Sequence, residues 1–138
     1  MVVQEVMTED PVTVQSSTPI RKVIATLFES DFRHLPIVDG DQLVGIVSDR
    51  DLRAFLAPTM LELEKPQEVG KRLAQPVSSV MNADVVSVTP ETDLSEVIEQ
   101  MIDQKVGAVP VVRPGTDELV GIVSYIDVLR AAQEFFEE

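Results

Sequence analysis

Two tetrapeptides, Ser48-Asp49-Arg50-Asp51 and Ser124-Tyr125-Ile126-Asp127, share the spacing Ser-x-x-Asp and follow the same apolar run. Where a strand gives way to a helix, a carboxylate at this spacing can accept both hydroxyls of a ribose. The serine hydroxyl and the first helical N–H groups can hold a phosphate. The same spacing is also a capping box, in which serine caps the helix and the acid three residues on bonds back to it. One serine can fill both roles, and the pattern alone leaves both readings open.

The surroundings of the two tetrapeptides differ in charge. The first has Arg33 and His34 just upstream of Leu35-Pro36, and Arg50 inside the tetrapeptide. The corresponding places in the second hold Gly107, Ala108 and Ile126. Arginine suits bidentate contact with phosphate, and histidine adds a donor whose charge depends on pH. A lone histidine is equally at home as a half-buried structural residue. Arg53 and Arg130 lie deeper in their helices and read as surface or ion-pair residues.

The elements that position these groups are written twice. Val6-Met7 recurs as Val80-Met81, a shift of 74 (81 − 7). In register, Val12-Thr13-Val14 falls on Val86-Ser87-Val88, Val23-Ile24 on Val97-Ile98, and Leu35 to Val38 on Val109 to Val112. Leu43 to Ser48 then returns unchanged as Leu119 to Ser124 at a shift of 76 (121 − 45), so the second turn carries a two-residue insertion. Self-similarity of this length marks a duplicated unit.

Each unit predicts strand, helix, strand, strand, helix. Thr18-Pro19 and Thr92-Asp93 carry helix-start signals. Ile20, Val23, Ile24, Leu27 and Phe28, and likewise Leu94, Val97, Ile98, Met101 and Ile102, predict one buried face per helix. Asp39-Gly40 signals a hairpin, and Arg113 to Thr116 a longer one. Met7, Met81 and Met101 read as core residues, with an adaptable lining for a purine as the alternative. The expected division is residues 1–56, a linker at 57–76 broken by Pro58, Pro66 and Pro76, and residues 77–138. A helix is expected near Gln67 to Leu73. A unit this small buries little apolar surface alone, so two copies packed sheet to sheet would share a core.

Composition narrows the function classes. Hydrophobic residues make up 44% of the 138 positions and charged ones 25%, a globular balance. The formal net charge of −13 opposes nucleic acid and anionic membrane as main partners. A phosphate site must then be a local cation cluster set against an unfavourable field. With no cysteine, one histidine, no P-loop and no Gly-x-Gly-x-x-Gly, the sequence offers no thiol, zinc or dinucleotide chemistry, and the expected setting is the cytosol.

The two units together resemble the cystathionine-β-synthase (CBS) module in its tandem arrangement, often called a Bateman module. The resemblance rests on Val6-Met7, Asp10 to Val14, His34 to Val38 and Gly45 to Asp51, and on Val80-Met81, Val86 to Val88, Val109 to Val112 and Gly121 to Asp127. It implies an α/β fold of two βαββα repeats related by a pseudo-twofold axis, and a disk-like homodimer. It further implies a regulatory, non-enzymatic module that binds AMP, ADP, ATP or S-adenosylmethionine in a cleft between the repeats and signals occupancy to a partner or dimer. Under this resemblance Ser48, Asp51, Ser124 and Asp127 contact ribose and phosphate, and Arg33, His34 and Arg50 serve phosphate. One site is then strong and the other weak or nucleoside-like, and the sequence leaves open which cleft Arg33 and His34 serve. The alternative is a ligand-independent dimeric interaction protein that keeps the fold.

Overall fold

The computed structural model describes residues 1–30, 32–61 and 65–137. Three positions of the expected linker, 62–64, and the last position of the second repeat therefore lie outside the described residues. The strands are β1 (Thr8–Glu9), β2 (Val14–Gln15), β3 (His34–Asp39), β4 (Gln42–Ser48), β5 (Ala108–Val112) and β6 (Leu119–Ser124). The helices are α1 (Ile20–Glu29), α2 (Asp49–Met60), α3 (Pro66–Ala74), α4 (Leu94–Gln104) and α5 (Tyr125–Phe136). The first repeat thus runs β2-α1-β3-β4-α2. In the second the leading strand shrinks to a single parallel bridge, Val88 with Val111, ahead of α4-β5-β6-α5.

The chain packs as two compact units, and each takes in the opening segment of the other repeat. One unit comprises 1–11, 41–43 and 85–138, and the other 12–40 and 44–84. In the first unit β1 pairs antiparallel with β6, Thr8 opposite Ile122 and Glu9 opposite Gly121, giving the sheet order β1-β6-β5. Val3 N–H donates to the Thr92 carbonyl (2.9 Å) and Leu94 N–H to the Met1 carbonyl (2.9 Å). The second unit repeats this 74 residues on. Val77 N–H donates to the Thr18 carbonyl (2.8 Å), Ile20 N–H to the Gln75 carbonyl (2.9 Å), and Asn82 bridges Ile46 beside the sheet β2-β3-β4.

Each unit has its own core. Val3, Val88, Leu94, Val97, Val109, Val111 and Val123 form one. Ile20, Val23, Leu35, Ile37, Val47, Leu52 and Val77 form the other. Val3 and Val77 are fully buried, so each opening segment supplies a core residue as well as backbone hydrogen bonds. Met7 and Met101 pack on the first core and Met81 on the second, in keeping with their reading as core side chains.

Three local expectations need correction. Phe28 is 86% exposed and Ile102 68%, because the buried face of α1 and α4 is narrower than the apolar stripe. The helix caps fall one residue later than the threonines. Pro19 flanks α1 without a side-chain cap, and Asp93 caps α4 by accepting from Ser95 N–H (3.0 Å). Thr92 instead uses its hydroxyl to close the preceding turn on Thr89 N–H (3.1 Å). Pro58 does not end α2, which runs to Met60. Its missing N–H costs α2 one intrahelical bond, to the Ala54 carbonyl, close to the end of the helix.

The two opening segments press against glycines in the strands they join. A Cβ on Gly45 would stand 2.6 Å from Met81 Sδ and 3.0 Å from the Asn82 carbonyl oxygen. On Gly121 it would stand 2.7 Å from Met7 Sδ and 3.0 Å from the Thr8 carbonyl oxygen. Methionine can move, but the carbonyl is held by strand pairing. Gly45→Ala and Gly121→Ala are each expected to destabilise the chain by roughly 1–3 kcal/mol in urea denaturation. Wild-type stability in both variants would mean that the methionine segments do not sit against these strands.

Candidate functional site

In the unit holding the first repeat, β4 delivers Ser48 to the start of α2 and β3 begins beside it at His34. Ser48 Oγ accepts from Asp51 N–H (3.1 Å), and Asp51 Oδ2 accepts from Ser48 N–H (2.9 Å). Asp49 N–H donates to the Arg33 carbonyl (2.9 Å), tying the helix start to the entry of β3. The second repeat builds the same junction. Ser124 Oγ accepts from Asp127 N–H (3.2 Å), Asp127 Oδ2 accepts from Ser124 N–H (2.9 Å), and Tyr125 N–H donates to the Gly107 carbonyl (2.9 Å). Both tetrapeptides are therefore complete capping boxes.

These bonds narrow what the junction can offer a ligand. Two of the opening helical amides, at Asp49 and Asp51 or at Tyr125 and Asp127, already have protein acceptors. The helix N-terminus is thus a poorer phosphate cradle than the spacing suggested. Each serine hydroxyl can still donate while accepting its cap bond. Each aspartate uses only Oδ2 in the box, leaving Oδ1 for a hydroxyl donor.

The side chains around the two junctions are unequal. His34 is half-buried, and burial is the main influence on its imidazole, holding its pKa below the ordinary value. The charges of Asp49 and Asp51 oppose that shift, whereas Arg33 adds to it. The structure thus brings His34, Arg33, Asp49 and Asp51 into one electrostatic neighbourhood, with exposed Arg50 on the same helical turn. In the second junction Gly107, Ala108 and Ile126 stand at these places, beside exposed Tyr125.

Arg33 is also drawn elsewhere. Its Nη1 lies 3.3 Å from Asp49 Oδ2, and Arg53 Nη2 lies 3.7 Å from the same oxygen. Asp49 is the hub of this cluster, a role not foreseen from the sequence. The i,i+4 spacing of Asp49 and Arg53 was the available signal. Arg53 behaves as the ion-pair residue its position suggested, and Arg130 is exposed. Among the described residues, no group of three or more His, Cys, Asp or Glu could hold a metal ion, and no helix is long and apolar enough to cross a membrane.

Residues 3–58 and 77–134 match the CBS domain family, once for each repeat. The chain belongs to that family. It is similar over 99% of its length to a Vibrio cholerae protein assigned to acetoin utilization (AcuB), with 33% identity, a TM-score of 0.81 and 93% of that chain covered. It is similar to CBSX2, whose crystal structure contains AMP, at 28% identity and a TM-score of 0.81, over 97% of both chains. It also matches the homoserine O-acetyltransferase of Methanohalobium evestigatum at 27% identity, over 96% of this CBS pair but 24% of that enzyme. The chain spans about half the length, or less, of the first curated relatives it matches.

The chain holds a single histidine, so its titration gives one clean signal. Nuclear magnetic resonance should place the midpoint of His34 below that of a free imidazole. A folded-state pKa lowered in this way leaves the unfolded chain binding more protons between the two values. Stability therefore falls as pH drops through that window, and His34→Gln should flatten the fall. A midpoint at or above the free value would mean that the carboxylates outweigh burial.

Proposed function

We propose that this CBS pair is a regulatory module that binds an adenosine nucleotide without transforming it. The observation that carries the proposal is the AMP held by CBSX2, a protein 28% identical over 97% of both chains. The preserved Ser-x-x-Asp junction in both repeats supports it, because each leaves one carboxylate oxygen and one hydroxyl donor unspent. In this reading Asp51 and Asp127 accept ribose hydroxyls, and Ser48 and Ser124 donate to ribose or phosphate. Arg33, His34 and Arg50 answer the phosphate charge at the first site. AMP, ADP and ATP are the ligands of choice, with S-adenosylmethionine the variant lacking phosphate. The second site suits the less charged ligand.

A regulatory role agrees with the homoserine O-acetyltransferase match, where the likeness covers a quarter of a longer enzyme. The module acts in the cytosol as a homodimer and passes occupancy to the dimer or to a protein partner. It can do so only if nucleotide prefers one arrangement over another. No reaction is assigned, because the junction carboxylates are committed to caps rather than poised beside a nucleophile. The completed capping boxes also favour a second reading, a dimeric interaction protein indifferent to nucleotides, since both junctions are satisfied with no ligand.

Calorimetric titration with AMP, ADP, ATP and S-adenosylmethionine separates the two. A phosphate-bearing ligand should bind, and Asp51→Ala should weaken it about tenfold or more, the scale of a lost charged hydrogen bond. Because the substitution also removes a cap bond, Asp51→Asn, which keeps a cap acceptor, serves as the folded control. No binding at millimolar concentration would leave the interaction protein as the surviving reading, and full affinity in Asp51→Ala would remove the ribose role given to Asp51.

A further inference from the structure

Arg33, one of the three basic residues given to phosphate under the proposed function, is already engaged by an acid. Its Nη1 lies 3.3 Å from Asp49 Oδ2, and Arg53 Nη2 comes within 3.7 Å of the same oxygen from the next turn of α2. Asp49 also acts on the charge of His34, against the burial that dominates that imidazole. One carboxylate thus stands among two guanidiniums and the histidine, all within the unit that holds the first repeat.

The duplicated chain shows that the fold does not need this carboxylate. Tyr125 stands in the second repeat where the first has Asp49, with Gly107 for Arg33 and Leu129 for Arg53. The same capping box and the same amide-to-carbonyl bond form there without the three charges. Nor does the Arg33–Asp49 pair contribute much stability. Its contact is long, the Arg33 side chain is 62% exposed, and pairs of this kind are worth little. What the pair does is occupy a guanidinium. Carboxylate and phosphate use the same N–H fork, so a phosphate must displace Asp49 before it takes Arg33 in full. The weakness of the existing contact makes that exchange possible.

Resting on the nucleotide reading above, we infer that Asp49 is a positioning residue that sets the specificity of the site, a latch that holds Arg33 until a phosphate replaces it. The latch lowers the affinity of every adenosine ligand whose phosphate uses Arg33. It leaves the phosphate-free nucleoside untouched, because adenosine makes no claim on the guanidinium. Asp49 therefore governs how strongly the site prefers a nucleotide to a nucleoside.

Calorimetric titration of the whole chain with AMP, ATP and adenosine in metal-free buffer tests this on Asp49→Asn. The variant should bind AMP and ATP about two- to fivefold more tightly than the wild type, the scale of one exposed ion pair, and adenosine no more tightly. Urea denaturation should find it folded, since the backbone bond from residue 49 to the Arg33 carbonyl does not involve the side chain. Arg33→Gly should weaken AMP and ATP. In the double variant Arg33→Gly, Asp49→Asn the gain from losing the carboxylate should vanish, because it acts through Arg33. Asp103→Asn removes an equal charge from an exposed position of α4 and should change no affinity. Unchanged or weaker AMP binding in Asp49→Asn overturns the inference, as does an equal gain for adenosine or for Asp103→Asn. A full gain in the Arg33→Gly background also overturns it, because the carboxylate would then act by its own charge. Wild-type binding without a gain in Asp49→Asn sinks the latch alone, whereas no binding by either protein sinks the nucleotide reading together with it.

Discussion

The edge of β6 opposite β5 is closed by two residues from the far end of the chain, Thr8 and Glu9, and the rest of that unit leans on this closure. An open strand edge leaves backbone donors and acceptors unpaired, and a repeat of this size has little core to spare. Val3 completes the core around Val97, Val109 and Val123, and Val77 does the same around Ile20, Leu35 and Val47. The duplication is thus more than two copies in a row. Each repeat lends its first segment to the other unit, so neither unit is built from one continuous stretch of chain.

This exchange bears on the two Ser-x-x-Asp junctions. Ser124 ends the strand that β1 secures, and Ser48 ends the strand bridged by Asn82. In both, the helix start is fixed from two sides, by the serine–aspartate box and by a carbonyl from the entry of the neighbouring strand. The backbone frame is therefore the same in both repeats, and the two junctions differ in their side chains. Arg33, His34 and Arg50 at one junction, against Gly107, Ala108 and Ile126 at the other, make chemically different sites on one scaffold. Under the proposed function, an anionic ligand would discriminate between these otherwise matched halves.

What the sequence made legible was whatever acts over short range or repeats. The Ser-x-x-Asp boxes depend on four adjacent residues and formed as their spacing required. The internal duplication announced the strand and helix order of both halves, except for the leading strand of the second, which is reduced to the Val88–Val111 bridge, and the glycine at Asp39-Gly40 turned the hairpin. The exchange of opening segments was hidden, because Val3 and Thr92 are distant in sequence and no local pattern links them. The exposure of Phe28 and Ile102 was hidden for another reason. Helical period shows that residues share a face, but it does not show how much of that face a neighbour covers. The hub role of Asp49 was hidden because one of its partners, Arg33, lies outside α2, and only the fold brings the two together.

The exchanged segments are tested most directly by hydrogen exchange on a Val3→Ala variant. Val3 belongs to the first repeat by sequence but is buried with residues of the second. Its truncation should cost about 2–3 kcal/mol of protection, the scale of a buried aliphatic cut to alanine. That loss should appear at the amides of Val109, Val111 and Val123, while Leu35, Ile37 and Val47 keep theirs or lose less. Loss confined to Leu35, Ile37 and Val47 would contradict the exchange and return each opening segment to its own repeat.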